Sequence, residues 1–157
     1  MSALRFVSLV ALAIWLGGMI AIGGVAAPAA FAVLDPSRAA TLVGEILRRF
    51  HLVSYGAAAI VLVSFTVMAL VGPRPRLLGA RLVTTSAMLA AMLVSGLWVD
   101  PRIAEMRHEI GAPVSSLPED DDRRVAFGRL HGMSTLLMLA ATIGGVVLVY
   151  WEARDPR

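Results

Sequence analysis

Two histidines, each one helical turn before a serine, are the residues of this sequence best equipped for chemistry. The stretch Arg48-Arg49-Phe50-His51-Leu52-Val53-Ser54 is echoed by Gly128-Arg129-Leu130-His131-Gly132-Met133-Ser134, so the pattern Arg-[Phe/Leu]-His-x-x-Ser occurs twice. Neutral imidazole is the commonest metal ligand, and a pair related by a pseudo-twofold axis can hold a haem iron or a copper ion. His51 and His131 are therefore candidate cofactor or metal ligands, with haem b or copper as the group held. Ser54, Ser134, Arg49 and Arg129 are the polar side chains placed to support them. Two other uses stay open. Each imidazole can hydrogen-bond a neighbouring carbonyl or the polar groups of the other half, because buried polar groups must find partners. Each can also serve a proton or ion path, since ionisable groups at membrane depth are costly and usually functional. Such a path would have to run over serine and threonine hydroxyls, because no Asp, Glu, Arg or His interrupts the apolar runs that follow these motifs.

Weaker constellations lie elsewhere. Glu105, His108 and Glu109 share one helical face and resemble half of a carboxylate-bridged metal site, but no second Glu-x-x-His exists in the chain. A solvated helix explains them. Met88 and Met92, four residues apart, could bind Cu(I) as soft ligands, although methionines at helical spacing in an apolar run are ordinarily packing. The acidic run Glu119-Asp120-Asp121-Asp122 fits the start of a helix, where the macrodipole favours negative charge. Without cysteine or lysine the chain has no thiolate chemistry, disulfide, Schiff base or P-loop lysine. Gly-rich phosphate loops, nucleophile elbows and paired intramembrane carboxylates are also missing, so nothing points to an enzyme.

The elements that must position the histidines follow from composition. Hydrophobic residues make up 58% of the 157 and charged ones only 16%, against about half and about a quarter in soluble domains, so the apolar surplus must face lipid. All fourteen basic residues are Arg and the net charge is only +3, which gives no nucleic-acid footprint. Uncharged runs cover 6–34, 52–72, 82–99 and 132–151. All four qualify against the roughly 20 residues that a helix needs to cross about 30 Å of hydrocarbon, the third with least margin. The first run far exceeds the roughly 7–15 residues of a signal-peptide core and reads as a retained span. The sequence thus predicts an all-α integral membrane four-helix bundle, one domain over 1–157, with spans near 6–33, 50–72, 78–99 and 127–151.

Within the first span Gly17, Ala21, Gly24 and Pro28 form a small-residue stripe that predicts a packing seam, with Trp15 filling space beside it. Pro28 should end or kink that helix. Asp35-Pro36 reads as an N-cap followed by a first-turn proline, and 38–50 is amphipathic, with Leu42, Ile46 and Phe50 on one face. Gly72-Pro73-Arg74-Pro75-Arg76 is a tight connection, the third helix runs on past Pro101 through Glu109, and Tyr150 and Trp151 anchor the last helix at an interface.

Comparison of the two halves predicts a parallel repeat of two helical hairpins about an axis along the membrane normal. Positions 51, 54, 58, 61 and 65 and positions 131, 134, 138, 141 and 145 then form inward stripes, with both histidines facing inward across the axis. Four spans put both termini on one side. The acid-free arginines of the short second loop, Arg74, Arg76 and Arg81, place that side in the cytoplasm. The expected location is a bacterial inner membrane, with the lipid bilayer as partner, a homo-oligomer or membrane protein as a further one, and no nucleic acid.

Trp15-Leu-Gly-Gly-Met, Val25-Ala-Ala-Pro28, Arg48-Arg-Phe-His51, Gly96-Leu-Trp-Val-Asp-Pro101-Arg102 and Phe127-Gly-Arg-Leu-His131 together resemble the transmembrane protein 205-like family over almost the whole chain. That family is a group of four-helix membrane proteins with a domain of unknown function. More distantly, Trp-Leu-Gly-Gly and histidines at the interface are similar to copper-resistance D membrane proteins. That resemblance implies that His51 and His131 are ligands. Together these features predict a small polytopic accessory or metal-handling protein with a His pair at the exterior mouth. The alternatives are a haem-binding redox protein and a structural module without a ligand.

Overall fold

Backbone in hydrocarbon has no water to bond and must satisfy its own N–H and C=O groups, which the apolar runs do as helices. The computed structural model describes residues 2–71 and 75–154. They form four long rods. The first comprises α1 (Ser2–Ala21), a π-helical turn (Ile22–Ala26) and α2 (Ala27–Val33); the second is α3 (Pro36–Val71). The third comprises α4 (Leu78–Val94), a second π-helical turn (Ser95–Val99) and α5 (Asp100–Ile110). A 3₁₀ turn (Val114–Ser116) leads to the fourth, α6 (Asp122–Arg154). All four are long and apolar enough to cross a membrane, so the chain is an all-α multi-pass bundle. α1 packs on α3, α3 on α4, α4 on α6, and α6 back on α1, which closes the ring. Gly72, Pro73 and Arg74 of the expected tight connection, and Arg157, lie outside the described residues.

The first rod does not end at Pro28. Proline removes an N–H and its ring crowds the carbonyl four residues back, but a π-helical turn draws its bonds from five residues back and moves that carbonyl away. The N–H of Ala27 donates to Ile22 O, and the helix then continues to Val33. The third rod repeats the arrangement, with the N–H of Asp100 donating to Ser95 O ahead of Pro101. Both π turns stop two residues before a proline.

Helix ends follow the sequence more closely. The carboxylate of Asp35 accepts from the N–H of Arg38 at 3.0 Å and opens α3. Gly111, at φ 64°, adopts the left-handed conformation that closes α5 without a Cβ clash. Asp121 accepts from the N–H of Arg123 at 2.8 Å at the start of α6, and its carboxyl is held below its usual range, chiefly by side-chain hydrogen bonds from Arg123.

The interior is filled by Leu12, Trp15, Met19, Val61, Phe65, Met68, Met88, Met92 and Leu148. Trp15 is a core residue, as expected, and Met88 and Met92 are packing. The expected seam of Gly17, Ala21, Gly24 and Pro28 faces outward, because the large side chains of Leu12, Trp15, Met19 and Ile22 claim the interior. The amphipathic start of α3 buries Ala39 and Phe50 and leaves Leu42 exposed. Glu105, His108 and Glu109 are all exposed.

Charges that bound the apolar runs turn inward at two levels. At one end Arg81 and Glu152, with side chains 1% and 4% exposed, form an ion pair inside the bundle. Arg81 Nη2 also donates to Trp151 O at 3.0 Å, the guanidinium lies 5.8 Å from the Phe65 ring, and Arg5 Nε stands 3.7 Å from Glu152. At the other end sits Asp100. Nineteen residues along the third rod separate Arg81 from Asp100, or about 28 Å at 1.5 Å per residue, close to the thickness of a hydrocarbon core. Arg81, expected as a charge of the short second loop, lies instead inside the bundle.

Candidate functional site

The rim holding Asp100 is where the first histidine motif does its work. His51 lies on the buried stripe of α3, followed at helical spacing by Ser54, Ala58, Val61 and Phe65, all of them buried. Its ring packs on the third rod at Gly96, where a Cβ would fall 2.8 Å from two imidazole carbons, so only glycine admits the ring at this spot. Tyr55, one turn further along α3, lies 6.1 Å from the imidazole, and its hydroxyl donates to Met92 O at 3.3 Å.

Polar partners are shared unevenly over the cluster. His51 Nδ1 lies 2.8 Å from Leu47 O, and because a carbonyl can only accept, Nδ1 must carry a proton. Asp100 Oδ2 is 3.7 Å from the same nitrogen. Asp100 Oδ1 accepts from Ser134 Oγ at 3.1 Å and Ser95 Oγ at 3.3 Å, and the two serine hydroxyls are 3.3 Å apart. Three rods therefore meet on one carboxylate. Buried side-chain atoms with no hydrogen-bond partner among the described residues include His51 Nε2, Asp100 Oδ2, Ser54 Oγ and Trp15 Nε1. Arg107 of α5 packs at Gly44 of α3 and is the charged neighbour on the outer side.

His131 is not part of this centre. It is exposed on α6 and stacks on Phe127, with ring centroids 6.1 Å apart. The inward orientation expected of both histidines holds for His51 alone. The reason is phase: three residues advance a helix by about 300°, so His131 sits roughly 60° from Ser134, at the edge of a narrow buried face. Ser134 is the member of the second motif that enters the site. Arg49 is exposed and bonds Glu45 at 2.6 Å, and Arg129 is exposed as well, so neither supports His51. Asp100 and Tyr55 belong to the site although neither follows from the histidine motifs. The available signal was an acid followed by proline at the close of an apolar run, inside the Gly96 to Arg102 motif.

A haem does not fit the ring as it is packed, because Nε2, the nitrogen that would meet the iron, is itself fully enclosed. A metal ion would find an imidazole nitrogen at Nε2, but no group of three or more His, Cys, Asp or Glu forms a ligand set among the described residues.

Fold and site together define a multi-pass four-helix membrane protein with a polar centre at one rim. Residues 10–112 match the model of the family described as Domain of unknown function (DUF4149), and the chain belongs to that family. The matched region carries His51, Tyr55, Ser95, Gly96 and Asp100; Ser134 and Glu152 lie beyond it. No curated protein and no solved structure matches the chain.

Proposed function

We propose that the protein is a non-catalytic membrane accessory protein whose working centre is His51, a buried base that takes up a cation at Nε2 with Asp100 as its counter-charge. The single observation that carries this is the unpartnered Nε2 on a ring whose Nδ1–H is already committed to Leu47 O. Buried polar atoms without partners are rare and call for a role. An imidazole with one nitrogen already donating can take up a proton or a metal at the other, and the Asp100 carboxylate 3.7 Å from the ring is placed to offset the added charge. A proton is the cation best suited, because it needs one base and one counter-ion. Ser95 and Ser134 hold Oδ1 of Asp100 and leave Oδ2 toward the ring. With the acid-free arginine loop inside, this centre lies at the exterior side of a bacterial inner membrane.

A second reading is favoured by the environment of Nδ1. Histidines that bind metals donate their other ring N–H to a carbonyl or carboxylate, as His51 does to Leu47 O with Asp100 behind it. Copper or zinc at Nε2 would then recruit its remaining ligands from water or from a partner molecule.

The test is histidine-selective ¹⁵N NMR in lipid nanodiscs, with His51, His108 and His131 assigned by single glutamine variants. The His51 signals should change in Asp100→Asn, and those of His131 should be indifferent to that change. A His51 signal unchanged by Asp100→Asn refutes the proposal. Zinc or copper added at fixed pH separates the readings, because only metal binding shifts Nε2 without a change in pH.

A further inference from the structure

At the rim opposite His51 the structure holds a cavity of about 490 Å³ lined by Arg76, Leu77, Arg81, Tyr150, Trp151 and Arg154. We infer that this cavity binds a phosphate group, supplied by the headgroup of an anionic phospholipid. Three guanidinium groups line it. Arg81 is neutralised by Glu152 and anchored by Trp151 O, so it forms a fixed floor. Arg76 and Arg154 are exposed, and neither has an acidic partner among the described residues. Arg154 lies over the Tyr150 ring at 4.6 Å, which holds its planar fork against the wall. Guanidinium presents paired donors matched to phosphate oxygens.

The walls decide the source of the phosphate. Leu77 is 59% exposed and Tyr150 49% exposed. Inorganic phosphate has no use for that apolar surface, whereas the glycerol and first acyl carbons of a lipid cover it. Tyr and Trp belong at headgroup depth, which is where Tyr150 and Trp151 stand, immediately before Glu152 of the buried ion pair. Leu77 itself adopts a left-handed conformation at φ 56°, a costly choice for a non-glycine residue and one met at ligand-binding positions. Anionic lipid on the cytoplasmic leaflet attracts basic residues placed at this depth.

The experiment uses the full chain in nanodiscs of phosphatidylcholine with or without phosphatidylglycerol, followed by native mass spectrometry for retained lipid and by thermal unfolding. The protein should retain phosphatidylglycerol in preference to phosphatidylcholine and unfold at higher temperature with it present. The double variant Arg76→Gln/Arg154→Gln, which alters only exposed side chains, should keep its helical circular dichroism and lose the preference. Two lost surface contacts correspond to binding roughly thirty-fold weaker. Arg38→Gln at the other rim should retain the lipid like the parent. Equal retention of both lipids by the parent, or undiminished retention by the double variant, overturns the inference. If millimolar inorganic phosphate in neutral discs stabilises the parent as strongly as phosphatidylglycerol, the lipid assignment is overturned and the cavity takes a soluble anion.

Discussion

Removal of Glu152 should be among the most damaging single changes to this bundle. Its carboxylate is the partner of Arg81, whose side chain is 1% exposed on the inner face of α4. Breaking a buried ion pair by deleting one partner costs about 3–5 kcal/mol, because the remaining charge keeps its desolvation penalty and loses its compensation. Two features favour the lower end of that range. Arg81 keeps its bond to Trp151 O, and the adjoining cavity lets water approach. We therefore expect Glu152→Leu to destabilise by about 3 kcal/mol, more than about a hundredfold in the folding equilibrium. Glu152→Gln, which retains an acceptor for the guanidinium, should lose about half as much. The double variant Arg81→Met/Glu152→Leu should recover to within about 1 kcal/mol of the parent, since an apolar replacement of both buried charges leaves neither uncompensated and the partly exposed Arg5 gives up only its 3.7 Å contact with Glu152. Reversible unfolding in mixed micelles, followed by tryptophan fluorescence, reads all three. A Glu152→Leu protein within about 0.5 kcal/mol of the parent, the range of ordinary surface substitutions, would show that the pair is not buried. A double variant no better than the worse single would refute the reasoning from uncompensated charge.

Other consequences are smaller. Gly96→Ala forces a Cβ to within 2.8 Å of the His51 ring, so it should destabilise by about 1–3 kcal/mol and alter the His51 ¹⁵N shifts. The two members of the second motif should separate cleanly in unfolding titrations: Ser134→Ala costs about 1 kcal/mol through the lost bond to Asp100, and His131→Ala stays within about 0.5 kcal/mol. Because the Asp121 carboxyl is depressed by Arg123, its capping contribution is full above the ordinary carboxylate range and fades as the pH falls through the lowered value. Protection factors at Arg123 and Val125, corrected for the intrinsic slowing of exchange in acid, should accordingly fall as the pH drops, and in Asp121→Asn that acid-induced change should be largely absent.

Much of the architecture was legible because hydrocarbon enforces it. Four uncharged runs of bilayer length leave no alternative to helices, and the stripe from His51 through Ser54, Ala58, Val61 and Phe65 is buried throughout, as its spacing predicts. The matching stripe on α6 faces inward from Ser134 through Met138, Ala141 and Gly145, but α6 buries a narrower face than α3, and His131 falls off its edge. Asp100 was harder to see. The π turn at 95–99 adds a residue to one helical turn and rotates everything after it by about 100°, so a phase extrapolated from Met88 and Met92 misplaces the carboxylate. The same insertion next to Pro28 kept the first rod unbroken where proline alone suggests a stop. Arg81 reads as a membrane-topology charge because it stands at the end of an apolar run, and Glu152 stands at the end of another. Their inward turn depends on pairing 71 residues apart, which no local pattern encodes.

The central claim is that the bundle brings His51, and not His131, against Asp100. Rotational-echo distance measurement in lipid, between ¹⁵N-labelled imidazole and the ¹³C-labelled carboxyl of Asp100, addresses it directly. A dipolar coupling from His51 Nδ1 consistent with the 3.7 Å approach to the Asp100 carboxylate, retained in His131→Gln and abolished in His51→Gln, is the predicted result. A coupling that survives His51→Gln and disappears in His131→Gln would contradict it.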